Sequence, residues 1–119
     1  MESRHKALLA ADAAEAKLAD QVVILDIQEH TLVADFFVIA SAGSRVQIKA
    51  IIEGVEDAME AAGEPPGRAE GRDDGHWVLL DFGDVVVHIF SERERQYYSL
   101  ERLWGDAPVL ARGTSVRDR

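Results

Sequence analysis

The stretch WVLLDFGDVVVHIF, residues 77–90, places two carboxylates, Asp81 and Asp84, on either side of a Phe-Gly pair. Carboxylates this close are hard oxygen ligands and could hold magnesium, and Asp-Phe-Gly is the magnesium-holding triplet of protein kinases. A kinase also needs a Gly-rich phosphate loop, a lysine on a following strand and a His-Arg-Asp loop in a chain several times longer. None of these occurs in the 119 residues. The other reactive side chains offer little more. His5, His30, His76 and His88 include no pair that shares a helix face at metal-ligand spacing, so each reads as a surface or strand residue. Ser41, Ser44 and Ser91 are better explained as turn or cap residues than as nucleophiles. Cysteine is absent, which excludes disulfides, thiolate nucleophiles and cysteine–zinc sites and is compatible with a reducing cytoplasm. No glycine fingerprint for phosphate appears either. These residues therefore point to no cofactor, no metal and no catalytic constellation.

The elements that must position the 77–90 stretch follow from periodicity. Residues 3–19 have high helix propensity, with alanines from Ala7 to Ala16 and Leu8, Leu9 and Leu18 as the larger apolar groups. QVVILDIQ (21–28) is rich in β-branched residues and reads as a strand, and DFFVIAS (35–41) is apolar enough for a central one. Ser44 and Gln47 have capping-box spacing, and Ile48, Ile51, Ile52, Val55 and Met59 then form one helical stripe that Gly63 ends at the C′ position. The Gly- and Pro-rich segment 63–75 is a loop with room for one short edge strand around Arg68 to Glu70. Ser91 and Glu94 form a second capping pair, which opens a third helix. Helices alternating with short strands predict an α/β fold, a two-layer sandwich with a mixed β-sheet. A single domain over residues 1–106 and a mobile C-terminal tail over 107–119 complete the expected organisation.

Within this frame Asp-Phe-Gly-Asp reads as a hairpin turn, because Gly83-Asp84 suits a two-residue loop that needs positive φ. That turn pairs Phe82 with Val85, Leu80 with Val87 and Val78 with Ile89, all apolar and on one face. The alternate pairs are Asp81 with Val86, Leu79 with His88 and Trp77 with Phe90. The first face belongs against the helices. The second is mixed and is expected to be at least partly open, displaying Trp77, Asp81 and His88. On the last helix Tyr97, Leu100, Leu103 and Trp104 form a stripe, with Tyr98 roughly opposite among charged residues. An exposed aromatic beside an open sheet face is a typical interface anchor. For Trp77 a strand-end residue capped by the long loop is an equally good account.

Asp plus Glu number 22 against 13 Lys plus Arg, a net charge of −9. Such a surface repels phosphate backbones, which argues against direct DNA or RNA binding, and it attracts basic partners. Plain solubility explains the same charge. No apolar run is long enough to span a membrane, and the first residues read as a helix, not a signal peptide.

DFFVIASAGSRVQIKAI, WVLLDFGDVVVHIF and RQYYSLERLW, in this order and spacing, resemble the ribosomal silencing factor family, also called Iojap. The likeness runs from the first helix to about Trp104. It implies a cytoplasmic, non-catalytic factor that binds the large ribosomal subunit at ribosomal protein fourteen and blocks joining of the small subunit, restraining translation. It also implies that free copies can form homodimers, that no cofactor is needed, and that the contact surface includes Trp77, Asp81, Asp84 and Tyr98. The family's fold is similar to that of nucleotidyltransferases, so a nucleotidyltransferase-like topology is expected. Gly43-Ser44 matches the Gly-Ser those enzymes place before a helix, but no Asp-x-Asp or Asp-x-Glu strand follows. A nucleotide-binding or nucleotidyl-transferring enzyme is the alternative from another class, and an adaptor for some other basic protein is a third.

Overall fold

The computed structural model describes residues 1–72, 75–98 and 108–112. Among them the chain forms, in order, α1 (Ser3–Ala16), β1 (Asp20–Asp26), β2 (Phe36–Ala42), α2 (Arg45–Ala61), β3 (Arg68–Glu70), β4 (Trp77–Asp81), β5 (Val85–Ser91), α3 (Glu92–Tyr98) and β6 (Val109–Arg112). The strands make one mixed sheet in the order β3-β4-β5-β2-β1-β6. β2 and β5 run parallel at its centre, and every other neighbouring pair is antiparallel. The parallel pair is possible because α2, β3 and β4 intervene between its strands, more than the dozen residues that a crossover needs.

Local chemistry accounts for the element ends. Ser44 caps α2, its hydroxyl accepting from the Gln47 N–H at 3.1 Å, and Ser91 does the same for Glu94 at 3.2 Å on α3. At the other end of α2, Gly63 takes φ +81, while Gly63 N donates to Glu60 O and Glu64 N to Met59 O. This left-handed exit satisfies carbonyls that the helix leaves free.

α1 and α2 both pack on one face of the sheet. Their buried residues join Val22, Ile24, Phe36, Val38, Ala40, Val78, Leu80, Phe82, Val85, Val87 and Ile89 in the main core. In α1 it is the alanines, Ala7, Ala10, Ala11 and Ala14, that are fully buried; Leu8 and Leu9 are only half-buried, and Leu18 is exposed. Methyl side chains let this helix approach sheet and α2 closely, which larger groups at the same positions would prevent. Burying each large aliphatic side chain of this core contributes about 1.5–3 kcal/mol.

Two expectations need correction. Val109–Arg112 is not tail: it is the edge strand β6, with Val23 opposite Arg112 and Ile24 opposite Ala111 on β1. Four residues carry too little periodicity to announce a strand. They become one only because β1 offers an open row of backbone donors and acceptors, which it costs energy to leave unpaired. The second sheet face is also less open than expected. Val23, Leu25, Ile27, Ala34, Ile39, Val86 and Phe90 form a second apolar cluster there, with Phe37, Trp77 and Leu79 partly buried against it.

Candidate partner-binding face

The Asp-Phe-Gly-Asp segment is a turn held from both sides. Phe82 N donates to Val85 O at 2.9 Å and Gly83 takes φ +89, as the hairpin register requires. The Asp81 carboxylate accepts from the Gly83 N–H at 2.8 Å, so one of its oxygens is committed to shaping the turn. Asp84 is fixed on its other flank, where its carbonyl accepts from Asp35 N at 2.7 Å and Phe36 N at 3.2 Å. Its carboxylate meets Lys6 Nζ at 2.6 Å, and the same ammonium donates to Phe82 O at 2.7 Å. Lys6, only 6% exposed, also lies 3.6 Å from Glu64. A buried ammonium must find such partners, because leaving it unpaired would cost several kcal/mol. The two turn carboxylates are therefore structural members with half-exposed outer surfaces.

Trp77 sits at the opposite end of β4, on the same sheet face as Asp81 and roughly 13 Å from it at the usual strand rise. The register found is the one read from the sequence: Trp77 opposite Phe90, Leu79 opposite His88 and Asp81 opposite Val86. Gly71 makes the approach to Trp77 possible. At φ +85 it lies so close to the strand that a Cβ there would stand 2.1 Å from the Trp77 carbonyl oxygen. The indole is half-buried. It lies 4.9 Å from the Phe90 ring, and its Nε1–H donates to His88 Nδ1 at 3.1 Å.

His88 takes the side that the alternation of β5 predicts but is not displayed there. It is 5% exposed, flanked by Phe37 edge-on at 4.6 Å and by Phe90. The missing signal came from β2: a two-strand register shows which side a residue takes, not that a phenylalanine from a third strand will cover it. Burial pushes the imidazole down to about 4, so it is neutral near pH 7. With Nδ1 accepting from the indole, the proton resides on Nε2, which has no hydrogen-bond partner among the described residues. Of the residues expected to form the contact surface, Trp77, Asp81 and Asp84 are thus spread along one hairpin. The Tyr98 side chain lies outside the described residues, although its backbone ends α3.

A second cluster had no local signal in the sequence. Asp20 at the start of β1 and Glu92 at the start of α3 come together beside Gly43, with Ser41 and the buried Arg95 lining the same hollow of about 220 Å³. A hydrogen bond with Asp20 raises the Glu92 carboxyl above its usual range, with some desolvation adding to it. Among the described residues no group of three or more His, Asp or Glu is placed to hold a metal ion. A groove of about 560 Å³ lies on the helix side between Arg45, Lys49, Ile52 and Arg72, and its Arg72 is already paired with Glu56. No helix among the described residues is long and apolar enough to cross a membrane.

Comparison with known proteins gives a consistent result. The family described as "Ribosomal silencing factor during starvation" matches residues 1–119, so the likeness continues past Trp104 through β6. A relative from Bacillus subtilis named ribosomal silencing factor RsfS is 45% identical over 101 residues, covering 85% of this chain and 86% of its own. Another of that name from Halalkalibacterium halodurans is 43% identical over 110 residues, covering 92% and 94%. The crystal structure of a Chromobacterium violaceum protein superposes with a TM-score of 0.85 at 35% identity, covering 88% of each chain.

Proposed function

Since the chain belongs to the ribosomal silencing factor family, we propose that it binds the large ribosomal subunit at ribosomal protein fourteen and prevents the small subunit from joining. The observation that carries the reading is the β4–β5 hairpin. On the sheet face away from α1 and α2 it presents a half-exposed indole at one end and the Asp81 carboxylate at the other, and at the turn beside Asp81 stands the half-exposed Asp84 carboxylate, paired with Lys6 of α1. An aromatic anchor contributes affinity, and a rim of one charge orients a partner of the opposite charge. The net charge of −9 suits a basic ribosomal protein. Trp77, Asp81, Asp84 and Tyr98 are the contact residues on this reading.

Blocking needs no chemistry: a folded domain on the joining surface excludes the other subunit by volume. The protein acts in the cytoplasm without a cofactor, and free copies can pair. Its frame is nucleotidyltransferase-like but serves binding. The lack of an Asp-x-Asp or Asp-x-Glu strand after Gly43-Ser44 favours this over nucleotidyl transfer, which needs paired carboxylates to hold magnesium. Gradient sedimentation of mixed subunits at increasing protein concentration tests the proposal. Joined ribosomes should decline in proportion to occupancy, level off near one protein per large subunit, and do so equally with and without ATP. Inhibition far below that ratio, or only with ATP, would indicate turnover and restore the enzyme reading. Binding without loss of joined ribosomes would leave an adaptor.

A further inference from the structure

We propose that His88 is a positioning residue for docking, holding the Trp77 indole in the pose that the partner meets. The proposal rests on the docking reading above and adds a residue to it. Trp77 and His88 are diagonal neighbours on one face of the hairpin, since Trp77 stands opposite Phe90 and Leu79 opposite His88. The indole Nε1–H donates to His88 Nδ1 at 3.1 Å, the two ring centroids being 6.1 Å apart. The imidazole is itself immobilised. Phe37 meets it edge-on at 4.6 Å, and the Phe90 ring lies nearly parallel to it at 6.3 Å with 13° between planes. Phe90 also packs, tilted by 31°, against the indole at 4.9 Å. Tryptophan has two side-chain torsions, and a half-exposed one is free to swing. Packing on Phe90 restricts one direction and the hydrogen bond to a locked ring restricts the other.

Packing alone does not explain an imidazole at this position. The site is buried and apolar, and Nε2 finds no acceptor among the described residues. A leucine or phenylalanine would fill it without burying an unsatisfied donor. What histidine offers in exchange is an acceptor aimed at the indole. Burial holds the ring neutral, down to about 4, so that the Nδ1 lone pair is available near neutral pH. Indole nitrogen is a donor only, so no reversed bond can substitute. A side chain ordered before contact spares the ordering cost at contact.

The test uses the full chain and purified large subunits, with His88→Leu, His88→Asn and Trp77→Phe alone and combined. Indole Nε1–H resonances are followed by NMR, and the one lost in Trp77→Phe identifies Trp77. His88→Leu should remain folded, shift that resonance and speed its exchange with water, and weaken binding about three- to tenfold. His88→Asn, whose amide oxygen falls near the Nδ1 position, should restore much of both. In the Trp77→Phe background His88→Leu should cost nothing further. Trp77→Phe alone, which removes the donor and leaves His88 in place, should weaken binding to a similar degree; parent-like binding there overturns the proposal even if His88→Leu fails to fold. An unchanged resonance in folded His88→Leu overturns it as well, as does a shifted resonance with unchanged affinity. An equal loss in both backgrounds would mean that His88 acts independently of the indole. If Trp77→Ala binds like the parent, the docking reading itself fails. If Trp77→Ala weakens binding and His88→Leu does not, docking stands and positioning falls.

Discussion

The two faces of the sheet are made by the same strands yet are composed differently. The face under α1 and α2 buries Val22, Ile24, Val38, Leu80, Val87 and Ile89, and among the described residues its strands bury no polar side chain there, Lys6 of α1 standing at the rim. The other face buries an imidazole, half-buries an indole and ends in a carboxylate. Apolar side chains are interchangeable if they fill space, whereas a buried polar group costs stability unless it is matched. The first face is therefore explained by folding alone. The second carries groups that folding does not require, and those are the ones that the proposed binding role would use.

Substitutions can break this comparison. The largest effect is expected on the first face. Leu80→Ala should lower unfolding free energy by about 2–5 kcal/mol, measured by urea denaturation. Its neighbour Leu79→Ala, half-buried on the second face, should lose clearly less. Equal losses would erase the distinction between the faces.

Acid should act on the second face. The His88 imidazole is held down to about 4 in the folded protein, against 6.5 for the free group. The unfolded chain therefore takes up a proton first as pH falls. The stabilisation from keeping His88 neutral is complete above about pH 6.5 and is lost progressively down to about 4, in total about 3 kcal/mol. Unfolding curves of parent and His88→Leu across that range should show the parent falling more steeply. Parallel curves would mean that the imidazole is not buried neutral.

Trp77→Ala comes next, with affinity for large subunits reduced about thirtyfold, equivalent to ~2 kcal/mol, while its stability loss stays below that of Leu80→Ala. A variant that unfolds would make Trp77 a core residue. The smallest effect belongs to Asp81→Asn. The amide can still accept from the Gly83 N–H that now meets Asp81, so the turn should survive and melting temperature should hardly move. Losing one rim charge should weaken binding by ~1 kcal/mol or less and make it less sensitive to salt. A salt dependence identical to the parent's would remove Asp81 from the contact.

Much of the helix-covered face could be read from the sequence, because the signals that build it are local. Gly83 fixed the hairpin turn, the turn fixed the register from Trp77–Phe90 to Asp81–Val86, and alternation then assigned Val78, Leu80, Val87 and Ile89 to the core. The Ser44 and Ser91 caps and the edge strand Arg68–Glu70 were legible for the same reason. What escaped depends on partners distant in sequence. The burial of His88 needs Phe37 from β2, β6 needs β1, and the Asp20–Glu92 pair joins opposite ends of the chain. That Trp77 and Asp81 share the second face was recognisable, but the hydrogen bond that orders the indole was not, since it follows from the depth of a neighbour.

The position of β5 has a consequence for the order in which the chain can fold. It lies between β4 and β2, and its parallel pairing with β2 spans from Phe36–Val85 to Ala42–Ser91. During synthesis, a chain that has emerged only as far as Asp84 has both long helices but lacks its central strand. The β2 and β4 edges that will receive β5 are still unpaired. Lys6 has been made almost from the start, yet the turn that receives it is the last part of that segment to appear. Pairings this distant are slow to form and leave strand edges exposed while they wait. The domain therefore closes late, when one strand inserts and joins the two halves of the sheet.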